Sequence, residues 1–237
     1  LRGRLVKILA LDTATSSCSV AFWADGVKAC RTAAIERGHA EALMPMVVAV
    51  MAEAGVAFAD VDLMAVTVGP GSFTGLRIGL AAARGMALAA GLPCLGITTL
   101  EAVAESIDRR QQANEVVLAA LDSKRGDIFA QAFAAVDRPL DPPVAVSVDD
   151  LHAIIPAGTT LDRPVVVVGS AAETAVRALT EAGRQAVAAA VAVPVASAVA
   201  AIAARRHRRG AKLERPPSPL YLRPPDTGPV HGGLPSR

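Results

Sequence analysis

The period of the apolar positions changes several times along this chain, and each change marks an element. Leu5 to Leu11 is a largely apolar run, and Cys18 to Trp23 resumes it after the small polar turn Thr13 to Ser17. Asp25-Gly26 is a two-residue hairpin signal leading into Val27 to Ala33, so three consecutive antiparallel strands are expected. The period then lengthens. Leu43, Met46, Val47, Val50, Met51 and Ala54 recur at helical spacing, and Gly55 is placed to end that helix. Pro45 is expected near its first turn, where a missing amide costs little. Leu63 to Val68 predicts a strand, Gly69 to Thr74 a glycine-rich loop, and Gly75 to Ala90 a helix stopped by Gly91-Leu92-Pro93. Cys94 to Thr98 predicts a further strand and Leu100 to Ile107 a short helix. The first order is β-β-β-α-β-α-β-α.

After the polar stretch Asp108 to Glu115 the strand pattern returns. Val116 to Leu121 and Asp127 to Val136 flank the turn sequence Asp122-Ser123-Lys124-Arg125-Gly126. Ser147 with Asp150 resembles a capping box for a short helix through Ile155. Val165 to Val168 predicts a strand, Ala171 to Ala182 a helix, Ala186 to Val193 a strand and Val195 to Arg209 a helix. The second half loosely repeats the first. The expected organisation is an α/β protein with a first lobe over 5–107, a second over 108–215 and a tail over 216–237. Seven prolines and three glycines in the tail predict a disordered end.

Composition narrows the class. A hydrophobic fraction of 52% against 19% charged residues supports a packed core. Aromatics are only 3%, so a core rich in Ala and Val must pack by close approach of backbones. A net charge of +2 is too small to point to nucleic acid. Cys18, Cys30 and Cys94 lie far apart, with no CxxC pair and no histidine cluster. They fit buried thiols in a reducing compartment better than a disulfide framework or a zinc site. No secretory-leader pattern opens the sequence, and a cytoplasmic protein is expected. Ala186 to Ala204 carries no charge, but its alanines insert poorly and Pro194 cuts it. A strand followed by a buried helix is expected there, not a membrane span.

Several places could carry chemistry. Asp12 ends the first strand and enters Thr13-Ala14-Thr15-Ser16-Ser17. Hydroxyls and turn amides there suit a phosphate, and the carboxylate suits hydrated magnesium. The same groups serve to satisfy the turn's own backbone, and on the residues alone that role is the favoured one, because lone strand-end aspartates are common. Gly69-Pro70-Gly71-Ser72-Phe73-Thr74-Gly75-Leu76-Arg77 is the densest motif, and a helix amino terminus follows it. It lacks the Lys-Ser/Thr of a phosphate-binding P-loop and the spacing of a dinucleotide fingerprint. Asp12, Thr13, Ser72 and Thr74 are the phosphate-proximal candidates. On the following helix, Gly75, Gly79 and Ala83 share one face, for packing within the lobe or for a helix-on-helix subunit contact. His39 is followed four residues later by Leu43, so no i,i+4 histidine pair holds a metal, and no convincing catalytic set emerges. Arg205, Arg206, His207, Arg208, Arg209 and Lys212 form a basic run, either a solvated helix end or an RNA-phosphate contact through Arg205, Arg206, Arg208 and Arg209.

Taken together, Ile8 to Thr13, Arg37-Gly38-His39-Ala40-Glu41, Gly69 to Gly79 and Pro219-Leu220-Tyr221-Leu222-Arg223 resemble the bacterial TsaB (YeaZ) family, most densely over residues 5 to 107. The resemblance implies the actin/Hsp70/sugar-kinase (ASKHA) architecture, with two lobes each built on a mixed β-sheet with flanking helices. It implies a non-catalytic partner of the TsaD subunit in forming threonylcarbamoyladenosine beside the tRNA anticodon. A TsaE-like ATPase joins that pair, tRNA is met indirectly, and the isolated chain is a candidate homodimer. ATP and magnesium belong to the wider complex. Tight nucleotide binding by this chain alone is not expected, because Gly169 is followed by Ser170 where nucleotide-binding members have a glycine pair.

The resemblance also implies a partner contact on two first-lobe helices, mapped here to His39, Leu43, Met46, Val47, Val50, Gly75, Arg77, Gly79 and Ala83. Bulk at Gly79 is then expected to block pairing while the monomer still folds. Two other functions compete. A stand-alone small-molecule kinase would use Asp12 for magnesium and need a second carboxylate, for which Asp122 is the candidate. A metallopeptidase would need metal ligands that this sequence does not group.

Overall fold

The computed structural model describes residues 5–107, 116–135, 138–155, 164–191, 195–211 and 216–223. Lys7–Asp12 (β1) pairs antiparallel with Ser17–Ala24 (β2), which turns into Val27–Ala34 (β3). Asp25 and Gly26 carry the hairpin with φ of 56° and 118°, the positive values that such a tight turn requires. Leu63–Thr67 (β4) and Cys94–Ile97 (β5) join in parallel, giving the sheet order β3-β2-β1-β4-β5.

Central β1 is buried on both faces, which is why Ile8 to Leu11 read as a run and not as an alternation. Leu9 and Leu11 face His39–Ala54 (α1) and Phe73–Ala90 (α2), meeting Leu43, Val47, Leu80 and Ala83. Ile8 and Ala10 face the opposite layer, Thr99–Glu105 (α3) and Val195–Arg208 (α5), which also forms the seam with the second sheet.

The second sheet is built from Val117–Asp122 (β6), Asp127–Ala135 (β7), Arg138–Pro139 (β8), Val144–Ser147 (β9), Val165–Val168 (β10) and Ala186–Ala188 (β11). Its order is β11-β10-β6-β7-β8, with β9 also on β7. Strand β6 pairs antiparallel with β7 and parallel with β10, as β1 does with β2 and β4. The loose repeat in the sequence is therefore a repeat of topology. Ala172–Glu181 (α4) and a 3₁₀ turn at Leu151–Ile154 cover its outer face.

Several expectations are corrected. Helix α1 begins at His39, directly after Gly38 at φ 90°, so Pro45 stands in its second turn. The amide it lacks would have met the carbonyl of Glu41, in a solvent-facing stretch where water can serve instead. Ser147 and Asp150 bond to each other as expected, and the short helix they introduce is a single 3₁₀ turn at Leu151–Ile154. Strand β11 ends at Ala188, short of Val193. Short strands β8 and β9 were not legible, since two exposed residues and four mixed ones carry no period.

The last helix changes the lobe plan. Although it follows the second sheet in sequence, α5 packs on the first sheet, with the Ala196 amide donating to Ser19 Oγ at 3.0 Å. Its Ala196, Ala200, Ala203 and Ala204 are fully buried, so small side chains let it lie close on β1 and β2. The segment 186–204 is thus divided between a strand and this 14-residue helix. Among the described residues no helix is long and apolar enough to cross a membrane. The stretch 108–115, the predicted strand ends at 136 and 192–193, Lys212 and the tail beyond 223 lie outside the described residues.

Candidate functional site

The turn after β1 and the glycine-rich turn before α2 are in direct contact. Ser72 donates its amide to the Ala14 carbonyl at 2.8 Å, and Thr13 Oγ1 donates to the Gly75 carbonyl at 2.7 Å. A side chain at Gly75 would run into the carbonyl oxygen of Thr13, and one at Gly79 into the Thr13 hydroxyl. The glycines are therefore a packing requirement of this junction. Ser72 caps α2 by accepting from the Gly75 amide at 3.2 Å, so two of the turn's amides already have partners. Thr13 is buried, whereas Ser72 and Thr74 face solvent.

Asp12 is fully buried. Its carboxylate accepts from Thr67 Oγ1 at 2.8 Å, from the Ala14 amide at 3.1 Å and from Thr15 Oγ1 at 3.4 Å. Burial raises its pKa above the ordinary aspartate value, and these bonds and the charge of His39 oppose the rise only in part. A carboxylate with no face to solvent is an inner brace of the junction. It is not presented as a ligand for hydrated magnesium. His39, the first residue of α1, is buried as well, and its Nε2 has no hydrogen-bond partner among the described residues.

The surface predicted for a partner is largely inside. Leu43, Val47 and Val50 of α1, and Gly75, Gly79 and Ala83 of α2, face the first sheet within the chain's own core. Of the nine residues mapped to the contact, only Met46 is half-buried and only Arg77 is exposed. The helical stripe in the sequence marks the core face, so it cannot also be the outer face. The outward side of α1 instead carries Met44 and Val48, 45% and 66% exposed, and that of α2 carries Leu88 at 85%. Sequence reasoning missed them, although apolar residues off the core stripe are the signal to look for. At the start of α2, Phe73 is also exposed, with the Arg77 guanidinium 3.7 Å from its ring centre. Tyr221 completes the group, its ring 5.4 Å from Phe73 and its hydroxyl accepting from Arg77 Nε at 3.3 Å.

The basic run divides in the same way. Arg205 forms a two-pronged pair with Glu105 at 2.8 and 2.7 Å, and Arg206 pairs with Glu101. Arg205 is turned inward against α3, whereas Arg206 keeps 35% of its side chain exposed while it pairs with Glu101. Arg208 and Arg209 are exposed. Asp122 is exposed too, and its carboxyl is held below the ordinary range by the Lys124 amide and ammonium, as a turn residue's is. Among the described residues no group of three or more His, Cys, Asp or Glu is placed to hold a metal ion.

The family described as TsaD, tRNA N6-adenosine threonylcarbamoyltransferase, matches residues 32–223. The tRNA threonylcarbamoyladenosine biosynthesis protein TsaB of Escherichia coli is 41% identical over 124 residues, 52% of this chain and 53% of that protein. An uncharacterized Mycobacterium tuberculosis protein is 33% identical over 162 residues, 66% of this chain and 74% of its own length. The solved structure of YeaZ from Pseudomonas aeruginosa, at 27% identity and a TM-score of 0.75, covers 92% of this chain and 100% of that one. The chain spans about half the length of the curated TsaB relatives it matches. The shared architecture is the actin/Hsp70/sugar-kinase fold, with two mixed sheets and flanking helices.

Proposed function

The chain belongs to the TsaB (YeaZ) family, and on that premise we propose that it is the non-catalytic partner of a TsaD-like subunit. In this reading it works in the cytoplasm, in the formation of threonylcarbamoyladenosine beside the tRNA anticodon. ATP, magnesium and a TsaE-like ATPase enter with the wider complex. The observation that carries the reading is the apolar outer side of α1 and α2, where Met44, Val48 and Leu88 stand in water. Large apolar side chains left exposed on the outer faces of both helices favour a protein partner. The buried, internally bonded Asp12 supports the same reading against a stand-alone kinase, since magnesium catalysis needs an accessible carboxylate oxygen.

Size-exclusion chromatography with light scattering tests this. The chain is run alone and then with the TsaD homologue of the same organism. A mixed complex is expected, with tRNA-modifying activity only when both are present. Val48→Asp and Leu88→Asp are expected to abolish the complex while the far-ultraviolet circular dichroism is unchanged. ATP turnover by the isolated chain, with no complex, would replace this reading with the kinase.

A further inference from the structure

Residues 216–223 run back across the first lobe and end on the second. Pro217 is buried against Gly96 of β5, where a side chain would come within 2.9 Å of the proline ring. The Leu220 amide donates to the Val68 carbonyl at 2.7 Å, just past the end of β4. The Leu220 carbonyl lies against Gly69, and its side chain joins the core beneath α1 and α2. Tyr221 then packs on Phe73 and Arg77 at the start of α2. Finally Arg223 pairs with Asp127 at the start of β7, whose side chain is only 11% exposed. Asp127 also accepts from Ser123 Oγ in the turn after β6.

We propose that residues 217–223 are a strap that holds the two lobes in one arrangement over the glycine-rich turn, with Arg223 as its fastening on the second lobe. Each contact lies on a different element, so the segment joins β5, β4, α2 and β7 in succession. Ligands of open α/β sheets enter outside the carboxyl ends of the strands. The strap lies over those ends of β4 and β5, so a molecule approaching the turn from that side has to displace it. Fastening at both ends couples the glycine-rich turn to the turn at 122–127: freeing either end loosens both.

Hydrogen exchange of the full chain, resolved by peptide, tests the coupling. Arg223→Ala cuts the strap at the second lobe and Tyr221→Ala cuts it at the first. Each is expected to speed exchange about tenfold, or ~1.4 kcal/mol, in both 69–76 and 123–128. Exchange in β10 and α4, away from the strap, stays unchanged. Arg223→Lys, which keeps the charge without the fork, gives an intermediate rate. Two results overturn the proposal: release confined to the lobe where the cut was made, or exchange rising equally in β10 and α4, the sign of general destabilisation.

Discussion

Arg205 and Glu105 stand 100 residues apart in sequence and meet in a two-pronged, largely buried ion pair that ties α5 to α3. The pair forms the end of the seam between the first sheet and its inner helices. It explains why the start of the basic run is a structural feature.

Removing the guanidinium strands a buried charge, which costs about 3 kcal/mol or more. Arg205→Ala is therefore expected to lower the urea midpoint strongly, whereas Arg208→Ala, at an exposed position, leaves it within about 0.5 kcal/mol. Equal effects of the two in urea denaturation would refute the assignment.

Gly79→Val should unfold the chain before it disturbs any partner. The new side chain meets the Thr13 hydroxyl, which is itself bonded to the Gly75 carbonyl, and overpacking of this kind costs about 3 kcal/mol. Thermal melting of the isolated chain checks this. A Gly79→Val chain that melts like the parent but fails to bind its partner would restore the small-residue face as an interface.

The pH dependence of stability carries the signature of Asp12. Its pKa in the folded chain is raised above 3.8, so its contribution is fully present below that value. The contribution is lost as the pH rises through the raised folded value and a buried charge must form. Asp12→Asn keeps an oxygen for the Thr67 hydroxyl and the Ala14 amide but never ionises. The difference in stability between Asp12→Asn and the parent should thus shift in favour of the variant from pH 4 upward. A difference that stays flat between pH 4 and 8 in urea titrations would show that the group ionises in the fold as easily as in the unfolded chain.

Burial pushes the Cys18 and Cys94 thiols up to about 11, and the Cys30 thiol is raised as well. Little thiolate then exists at pH 8. Iodoacetamide is expected to leave Cys18 and Cys94 unmodified in the native chain and to label both promptly in urea. Mass spectrometry of the labelled peptides reads this directly, and rapid native labelling of Cys18 would contradict its burial.

Much of the fold was legible in the sequence. The runs at Leu5 to Leu11, Leu63 to Val68 and Val165 to Val168, the Asp25-Gly26 hairpin and the glycine stops of α1 and α2 each report on nearest neighbours along the chain. Strand, turn and helix end are local choices, set by backbone sterics and by the period of the side chains.

Partnership was decided only in three dimensions. The stripe Leu43, Val47, Val50 and the small face Gly75, Gly79, Ala83 show that a surface is covered, but period does not say by what. The first sheet covers both, and Met44, Val48 and Leu88 are left outside. Asp12 at a strand end looks alike whether open to magnesium or closed by Thr67, a residue 55 positions away. The return of α5 to the first sheet, the Arg205–Glu105 pair and the course of 216–223 depend on contacts between residues far apart in the chain, including Arg77 with Tyr221 at a separation of 144. The sequence by itself determined which segments become strands and helices, because those energies are local. The tertiary structure determined which faces meet, because burial is shared between surfaces that the chain order does not pair.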